Sequence, residues 1–451
     1  MQKIFDEVRS LDLKCYDSYG LTEDILMEHA ANGVALFIRA AFPLNSSVTI
    51  VCGDGNNGAD GLALARLLHG DYKVTIFYAK KPKSKLALLQ EKRTRSLNIP
   101  TCEKLFACDI LVDALLGTGF HNTLNDNLAS LIKNMNSLTA YKIACDIPSA
   151  YMFYADTTLT MGALKKSLFL DAHKEYVGDI HVVNLGIPRD FYEGDSSWRL
   201  LDVSDLQLPH RTKKDSHKGS YGHLALACGN KVGASIMSAK TALKFGAGLV
   251  TLVNEKKEQI PQSIMHASSL PQTTTALACG MGLGEYFNLA PLLENNLPMV
   301  VDADIFHMEI LLDILRRENT VLTPHAKEFV ALLQQTKLAD ISVSELQKER
   351  FKYVSLFSKA FPHVVLLLKG ANVIIASNEK YFINPHGTSS LAKGGSGDVL
   401  SGLVGALLAQ GFTPLHSAIH ASLAHTTLAS SYNGTDFSLT PDDLIAGIGN
   451  L

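Results

Sequence analysis

Short apolar runs rich in β-branched residues alternate along the whole chain with stretches whose apolar residues recur at helical spacing. This rhythm marks parallel sheets joined by crossover helices, so it predicts an α/β protein. In the first half the strand-like runs are SVTIVC (47–52), KVTIFYA (73–79), CDILVDALL (108–116), YKIACDIP (141–148) and GDIHVVNLGIP (178–188). Residues 195–218 break the rhythm: they are polar, contain Pro209 and carry the charge run HRTKKD, as expected of a linker. A second series then runs through GHLALACG (222–229), GLVTLVN (248–254), ALACGMG (276–282), MVVDADIF (299–306), NTVLTPH (319–325) and HVVLLLKG (363–370). NVIIASN and KYFINP, meeting near Glu379, read as an antiparallel hairpin. The expected domains are therefore 1–200 and 201–451. The length of 451 residues agrees, since single cores stop growing near roughly 250–300 residues.

Composition narrows the function. A hydrophobic fraction of 47%, a charged fraction of 19% and a net charge of −3 provide no field for nucleic acid or anionic membranes. Small-molecule chemistry is the expectation. Seven scattered cysteines without a C-x-x-C pair argue against a disulfide framework or a zinc ribbon, and a reducing cytoplasm suits them. The N-terminal residues lack the apolar core of a signal peptide. Residues 399–435 contain no Asp, Glu, Lys or Arg, but Gly411, Pro414 and three histidines interrupt them, which predicts packed helices rather than a membrane span.

In the second half, GGSGDVLSG (394–402) leads into the apolar pattern VLSGLVGALLAQG, which reads as a helix starting near Gly397. Glycines let backbone amides converge, and a helix N-terminus offers unpaired N–H groups and about half a positive charge, so an anion fits there. Asp398 falls in the first turn, either as a helix-stabilising residue or as a base for an attacking hydroxyl. LKGANVIIA ends a strand with Lys369 and Gly370, MGLG (281–284) supplies a close-approach loop, and TPHAKEF puts His325 at another strand end. Ligands of open α/β sheets bind beyond the carboxyl ends of the strands, so these termini converge on one pocket.

Residues 218–451 resemble the ADP-dependent NAD(P)H-hydrate dehydratases of the ribokinase-like superfamily, because HKGSYGH, GAGLVTL, TPHAKEF, LKGANV and GGSGDVLSGLVGALLAQG occur in that family's order. The resemblance implies a ribokinase-like α/β/α domain that uses ADP or ATP, with Mg²⁺, to remove the hydroxyl of hydrated NADH or NADPH. It assigns Lys369, Gly370, Ala371, Asn372, Val373 and Gly397 to the nucleotide. Ala234, Gly282 and His325 would line the hydrated nicotinamide, and Asp398 would meet its hydroxyl. On this reading Asp398 deprotonates the hydroxyl at ring carbon six, the amides of Gly395 to Gly397 stabilise the phosphoryl group, and phosphate leaves more readily than hydroxide.

In the first half, GDGNNGADG (53–61) follows a strand and satisfies G-x-G-x-x-G. A dinucleotide fingerprint is nevertheless disfavoured, because the next strand ends in Lys80 and Lys81 with no acidic residue to hold a ribose. The paired amides Asn56 and Asn57 with Asp60 read instead as a polar cradle. VDALLGTGF and ACDIPSA bring Asp113 and Asp146 to the same sheet edge. Together these motifs resemble the NAD(P)H-hydrate epimerase domain, a Rossmann-like three-layer sandwich. The resemblance implies substrate contacts at Asn56, Asn57, Gly58, Ala59, Asp60, Gly117, Thr118, Gly119, Phe120, His121, Asn122, Thr123 and Asp146. It places potassium on Asn57, Asp113 and Ser149, and Asp146 is the candidate base. Ala59, His29 and the short stretch after Ser149 depart from the family pattern.

The chain is thus expected to act on small molecules and on neither nucleic acid nor membrane, and to form a homo-oligomer. The alternative is a ribokinase-like kinase of a vitamin precursor with a degenerate N-terminal scaffold. His416, His420 and His425 lie at helical spacing but lack an HExxH glutamate, and they read as satisfied or surface histidines. Trp198 reads as a packing residue.

Overall fold

A computed structural model describes residues 1–119, 124–254, 260–284 and 287–451. Two compact units emerge: Lys3–Ser196, and Ser197–Leu451 together with Met1–Gln2. The division falls just ahead of residue 200, because Trp198–Leu200 is not linker but a strand of the C-terminal sheet, parallel to Lys380–Asn384. Trp198 stacks on Tyr381 at 4.3 Å between ring centroids and meets Phe351 edge-on at 5.1 Å.

In the N-terminal unit seven parallel strands run in the order 101–102, 73–78, 47–52, 110–114, 141–145, 157–161 and 179–183. Ser47–Cys52 lies between Lys73–Tyr78 and Ile110–Ala114 and is almost wholly buried, as its unbroken apolar run requires. Helices Glu23–Ala41 and Asn56–Leu68 bury Leu26, Val34, Ile38, Leu62 and Leu64 in the core on one face. Leu128, Ile132 and Met135 of helix Asp126–Ser137 join a second cluster with Leu111 and Leu115. The pairing of Ile4 with Leu164 adds a small ladder.

The C-terminal unit carries the sheet order 265–267, 249–253, 223–227, 276–279, 299–301, 320–322, 364–368, 373–377, 380–384 and 198–200. Its strands are parallel as far as Val364–Leu368, and the 373–377/380–384 hairpin is antiparallel as expected. Helices Ser396–Ala409 and Pro414–Ser430 cover the sheet, and nearly every residue of the first is buried. That explains most of the charge-free run 399–435: its two helices are largely buried in a core, and no helix among the described residues is long and apolar enough to cross a membrane. The unit is a mixed α/β domain whose sheet is largely parallel.

Candidate active sites

The glycines of GGSGD have distinct work. Gly395 caps helix Ser396–Ala409 in the left-handed region (φ 89°), and a Cβ there would lie 2.7 Å from Pro441 and 2.9 Å from Met237. The turn spends the Ser396 amide on the Lys393 carbonyl. Gly395 and Gly397 keep amides without a protein acceptor among the described residues, as an anion site needs. Beside Gly397 stand Lys369 Nζ and Asp302 Oδ2, 3.5 and 3.8 Å from where a Cβ would be.

Asp398 is held in the first turn, its carbonyl accepting from Ser238 Oγ at 2.7 Å. Burial pushes its carboxyl up to about 6, the neighbouring charges of Asp302 and Asp304 add to the shift, and Lys369 opposes it. A carboxylate near 6 is ionised at neutral pH and more basic than an exposed one, as proton abstraction requires. Lys369 ends the strand Val364–Leu368, and its ammonium donates to Asp302 Oδ1 at 2.8 Å and stands 3.8 Å from Glu328 Oε2. Burial disfavours the charged amine, yet Asp302 and Glu328 outweigh it and the ammonium is stabilised.

His325 forms a capping box at helix Ala326–Gln335. Its Nδ1 accepts from the amides of Lys327 and Glu328 at 3.1 and 3.3 Å, and Glu328 Oε2 accepts from the His325 amide at 2.7 Å. Burial and the Lys369 charge lower the His325 pKa, while burial lifts Glu328 to about 7. Gly282 (φ 66°) passes so close to the start of helix Val232–Lys244 that a Cβ would meet Ala234 at 3.1 Å and the Lys231 carbonyl at 2.4 Å, which brings Gly282 and Ala234 together. Asn372 is buried, and the Ala371 carbonyl lies 2.5 Å from a Cβ built on Gly387.

Sequence reasoning missed Asp302 and Glu328. The run MVVDADIF reads as one strand, but the strand stops at Val301 and the chain turns at Ala303 (φ 47°), leaving Asp302 at the strand end. His425 is a satisfied buried histidine: its pKa is lowered to about 4 by burial, and it meets Ser396 Oγ at 3.1 Å.

In the N-terminal unit a cavity of about 710 Å³ is lined by Asn56, Asn57, Asp60, Gly117, Thr118, Gly119 and Asp146, together with Asp12, Glu23 and Tyr192. Helix Asn56–Leu68 begins at Gly55 and packs tightly on its strand: a Cβ on Gly58 would sit 2.1 Å from the Gly53 carbonyl. Ala59 is fully buried there, so its methyl is accommodated. His29 packs on Gly186, whose φ of 83° and a Cβ-to-ring distance of 2.4 Å leave no room for a side chain. Phe120, His121, Asn122 and Thr123 lie outside the described residues.

Asp146 adopts φ 70°, a conformation L-residues occupy at a cost of order 1–3 kcal/mol, and its Oδ1 accepts from Lys165 Nζ at 2.6 Å and Met161 N at 3.2 Å. Lys165, unforeseen from sequence, is buried and also donates to Thr160 Oγ1 and the Met161 carbonyl. Burial, reinforced by Asp146, Asp12 and Glu23, drives Asp60 well above the usual carboxyl range. Asp113 is fully buried, accepting from the Ser149 amide (2.7 Å), Ser149 Oγ (2.6 Å) and the Leu115 amide (3.1 Å). Burial still raises it to about 6. Both polar atoms of the Asn57 amide are buried without a hydrogen-bond partner. No cluster of three His, Cys, Asp or Glu residues suited to a metal occurs among the described residues.

Each unit thus places glycine-rich backbone and buried carboxylates at the carboxyl edge of a parallel sheet, which defines a two-domain α/β protein with a small-molecule site in each domain. Residues 224–448 match the NAD(P)H-hydrate dehydratase family and residues 23–167 the YjeF-related protein N-terminus family. The bifunctional NAD(P)H-hydrate repair enzyme Nnr of Helicobacter pylori is 38% identical, with 100% of each chain covered. The Nnr enzymes of Coxiella burnetii (97% of this chain, 96% of that one) and Escherichia coli (94% and 88%) are each 31% identical. A ribokinase-like superfamily protein from Enterococcus faecalis superposes at TM-score 0.48 and 20% identity, over 57% of this chain and 96% of its own. The chain belongs to the family of bifunctional NAD(P)H-hydrate repair enzymes.

Proposed function

We propose that this chain repairs hydrated NADH and NADPH, interconverting the R and S hydrates in the N-terminal unit and dehydrating the S epimer at the expense of ADP or ATP in the C-terminal one. The observation that carries the reading is Asp398, a carboxylate raised to about 6 in the first turn of a helix whose Gly395 and Gly397 amides stay open. Lys369, Gly370, Ala371, Asn372 and Val373 take the nucleotide and Gly397 its phosphate end. Ala234, Gly282 and His325 take the hydrated nicotinamide. Asp398 accepts the proton of the hydroxyl at ring carbon six, the freed oxygen attacks the terminal phosphorus, and the bond to the nucleotide's leaving phosphate breaks. The carbon–oxygen bond to the new phosphate ester then breaks as the ring nitrogen supplies its electron pair, phosphate leaves, and loss of the proton on ring carbon five to solvent restores the dihydronicotinamide double bond. Mg²⁺ accompanies the nucleotide as its counter-ion.

In the other unit Asn56, Asn57, Gly58, Ala59, Asp60, Gly117, Thr118, Gly119 and Asp146 contact the hydrate, with Asp146 as the base. The unpartnered Asn57 amide and the buried Asp113–Ser149 pair fit a potassium ion, which would supply a fixed positive charge beside the substrate. The enzyme works in the cytoplasm as a homo-oligomer on this reading. The epimerase-like domain favours repair over a vitamin-precursor kinase.

The test incubates purified protein with mixed epimers of hydrated NADH, magnesium and ADP, and follows dihydronicotinamide absorbance. Full recovery is expected. Arrest with the R epimer left would remove the isomerase, and no recovery would remove the whole reading.

A further inference from the structure

The cavity of the N-terminal unit is lined by five carboxyl groups, and their surroundings differ. Asp146 accepts from Lys165, Glu23 accepts from Asn56 Nδ2 at 2.8 Å, Asp54 pairs with Lys83 at 3.0 Å, and burial drives Asp60 well above the usual carboxyl range. Asp12 alone is held by a neutral hydroxyl: Tyr192 Oη donates to its Oδ1 at 2.8 Å, and its other oxygen accepts from no group among the described residues. Tyr192 is 2% exposed and fixed by packing, because Gly162 (φ 72°) lies against its ring, where a Cβ would meet Tyr192 Cζ at 2.4 Å and Oη at 2.5 Å. Gly162 follows Met161, whose amide donates to Asp146 Oδ1 at 3.2 Å. The Asp12–Tyr192 pair and Asp146 are therefore seated on the same strand end, that of Thr157–Met161.

Inversion at ring carbon six needs more than one such group. That carbon bears both the hydroxyl and the ring nitrogen, so the nitrogen's electron pair expels the hydroxyl as water and leaves a carbon–nitrogen double bond, which a second water attacks from the other face. The departing oxygen takes a proton from one group, and the entering water gives a proton to another. One water leaves and one enters, so atoms and charge balance. A side chain held by hydrogen bonds, as Asp146 is, serves one face of the ring.

We propose that Asp12 is a second catalytic residue of the isomerase site, exchanging a proton with the carbon-six oxygen on the face that Asp146 does not serve, and that Tyr192 is the positioning residue that aims it. The inference rests on the epimerase reading of this unit. Asp146 follows strand Tyr141–Cys145 and Asp12 lies on helix Arg9–Tyr19, outside the sheet, so the two carboxyl groups enter one cavity from different elements. In one direction the ionised carboxylate accepts from the entering water while the protonated one gives to the departing hydroxyl, and the reverse reaction exchanges the roles. Burial raises the Asp12 carboxyl and the Tyr192 hydroxyl lowers it, which suits a group that both takes and gives a proton.

The test gives full-length protein the pure R epimer of hydrated NADH in potassium buffer made with H₂¹⁸O and without ADP, and follows the S epimer by chromatography and mass spectrometry against an enzyme-free control. The wild type must form S epimer above the control; if it does not, the epimerase reading fails and not merely this inference. With an active wild type, the first S epimer formed carries one ¹⁸O per molecule. Unlabelled S epimer overturns the proposal, because carbon six then kept its oxygen. Asp12→Ala is expected to lose about 10²–10⁴-fold in kcat, and added formate, a small carboxylate that fits the vacated space, to recover at least about tenfold of it. In a folded variant, a loss smaller than about tenfold, or one that formate does not lift, overturns the proposal, and relief of Asp60→Ala alone passes the role to Asp60. Tyr192→Phe keeps the ring against Gly162 and removes only the hydroxyl, so it decides the matter if Asp12→Ala does not fold. A kcat about tenfold lower with KM unchanged supports the proposal, and an unchanged kcat sinks it.

Discussion

Asp398 shows how one side chain carries both an activity and a cost. On the proposed mechanism Asp398 accepts the substrate's proton, so Asp398→Asn should lower dehydration by about 10²–10⁴-fold while titration calorimetry still detects nucleotide binding. Stability should change in the opposite direction. The folded pKa of about 6 lies above the ordinary 3.8, so between these values the native state holds a proton that the unfolded chain has released. Stability therefore falls as pH rises through that window, and above it the buried charge is a constant penalty that asparagine lacks. The melting temperature of Asp398→Asn should exceed the wild type at pH 8 by a margin that shrinks at pH 5. A pH-independent margin would show that burial of the carboxylate is not its source. Asp398 was visible in the sequence because glycines and an apolar helix mark its place; Asp302, Glu328 and Lys165 were not. Each sits among residues that read as strand or helix, and their partners lie far away in the chain: Ser401, Lys369 and Asp146.

Among elements, strands inside a continuous apolar run were legible, even the three-residue Met299–Val301 and Thr320–Leu322, and strands without such a run were not. Ser47–Cys52 stands where its apolar run predicts, since burial on both faces leaves a continuous signal. Thr101–Cys102, Leu164–Lys165, Trp198–Leu200 and Met265–Ala267 have two or three residues each, and pairing rather than pattern creates them. The helix start at Asn56 is the opposite case, where a close approach dictates residue type. A methyl at Gly58 would press on the Gly53 carbonyl at 2.1 Å, and backbone on both sides cannot yield cheaply. Gly58→Ala should abolish epimerisation and lower the first thermal transition, leaving dehydration of pure S epimer within about twofold of wild type, as expected for a site in a separate unit. Loss of both activities together would mean that the units do not unfold independently. Asn57→Ala tests the cation cradle: potassium should stimulate wild-type epimerisation and no longer stimulate the variant.

For the whole molecule, the relevant fact is that each compact unit has its own core and its own site. Strand and helix alternate within each unit, and Trp198, read as a packing residue, packs by completing the C-terminal sheet. Asp146→Asn in the full chain should leave S-epimer recovery intact and strand the R epimer, which chromatography of the residual hydrate would show. Equal recovery of both epimers would move the isomerase base elsewhere. The peptide bond between Ser196 and Ser197 has a further effect that concerns numbers rather than geometry. Because both sites are translated as one chain, every isomerase is made with one dehydratase at all expression levels. Changes in synthesis or turnover then scale total repair capacity without altering the proportion of R to S hydrate in transit, which only the rate constants of the two sites can set.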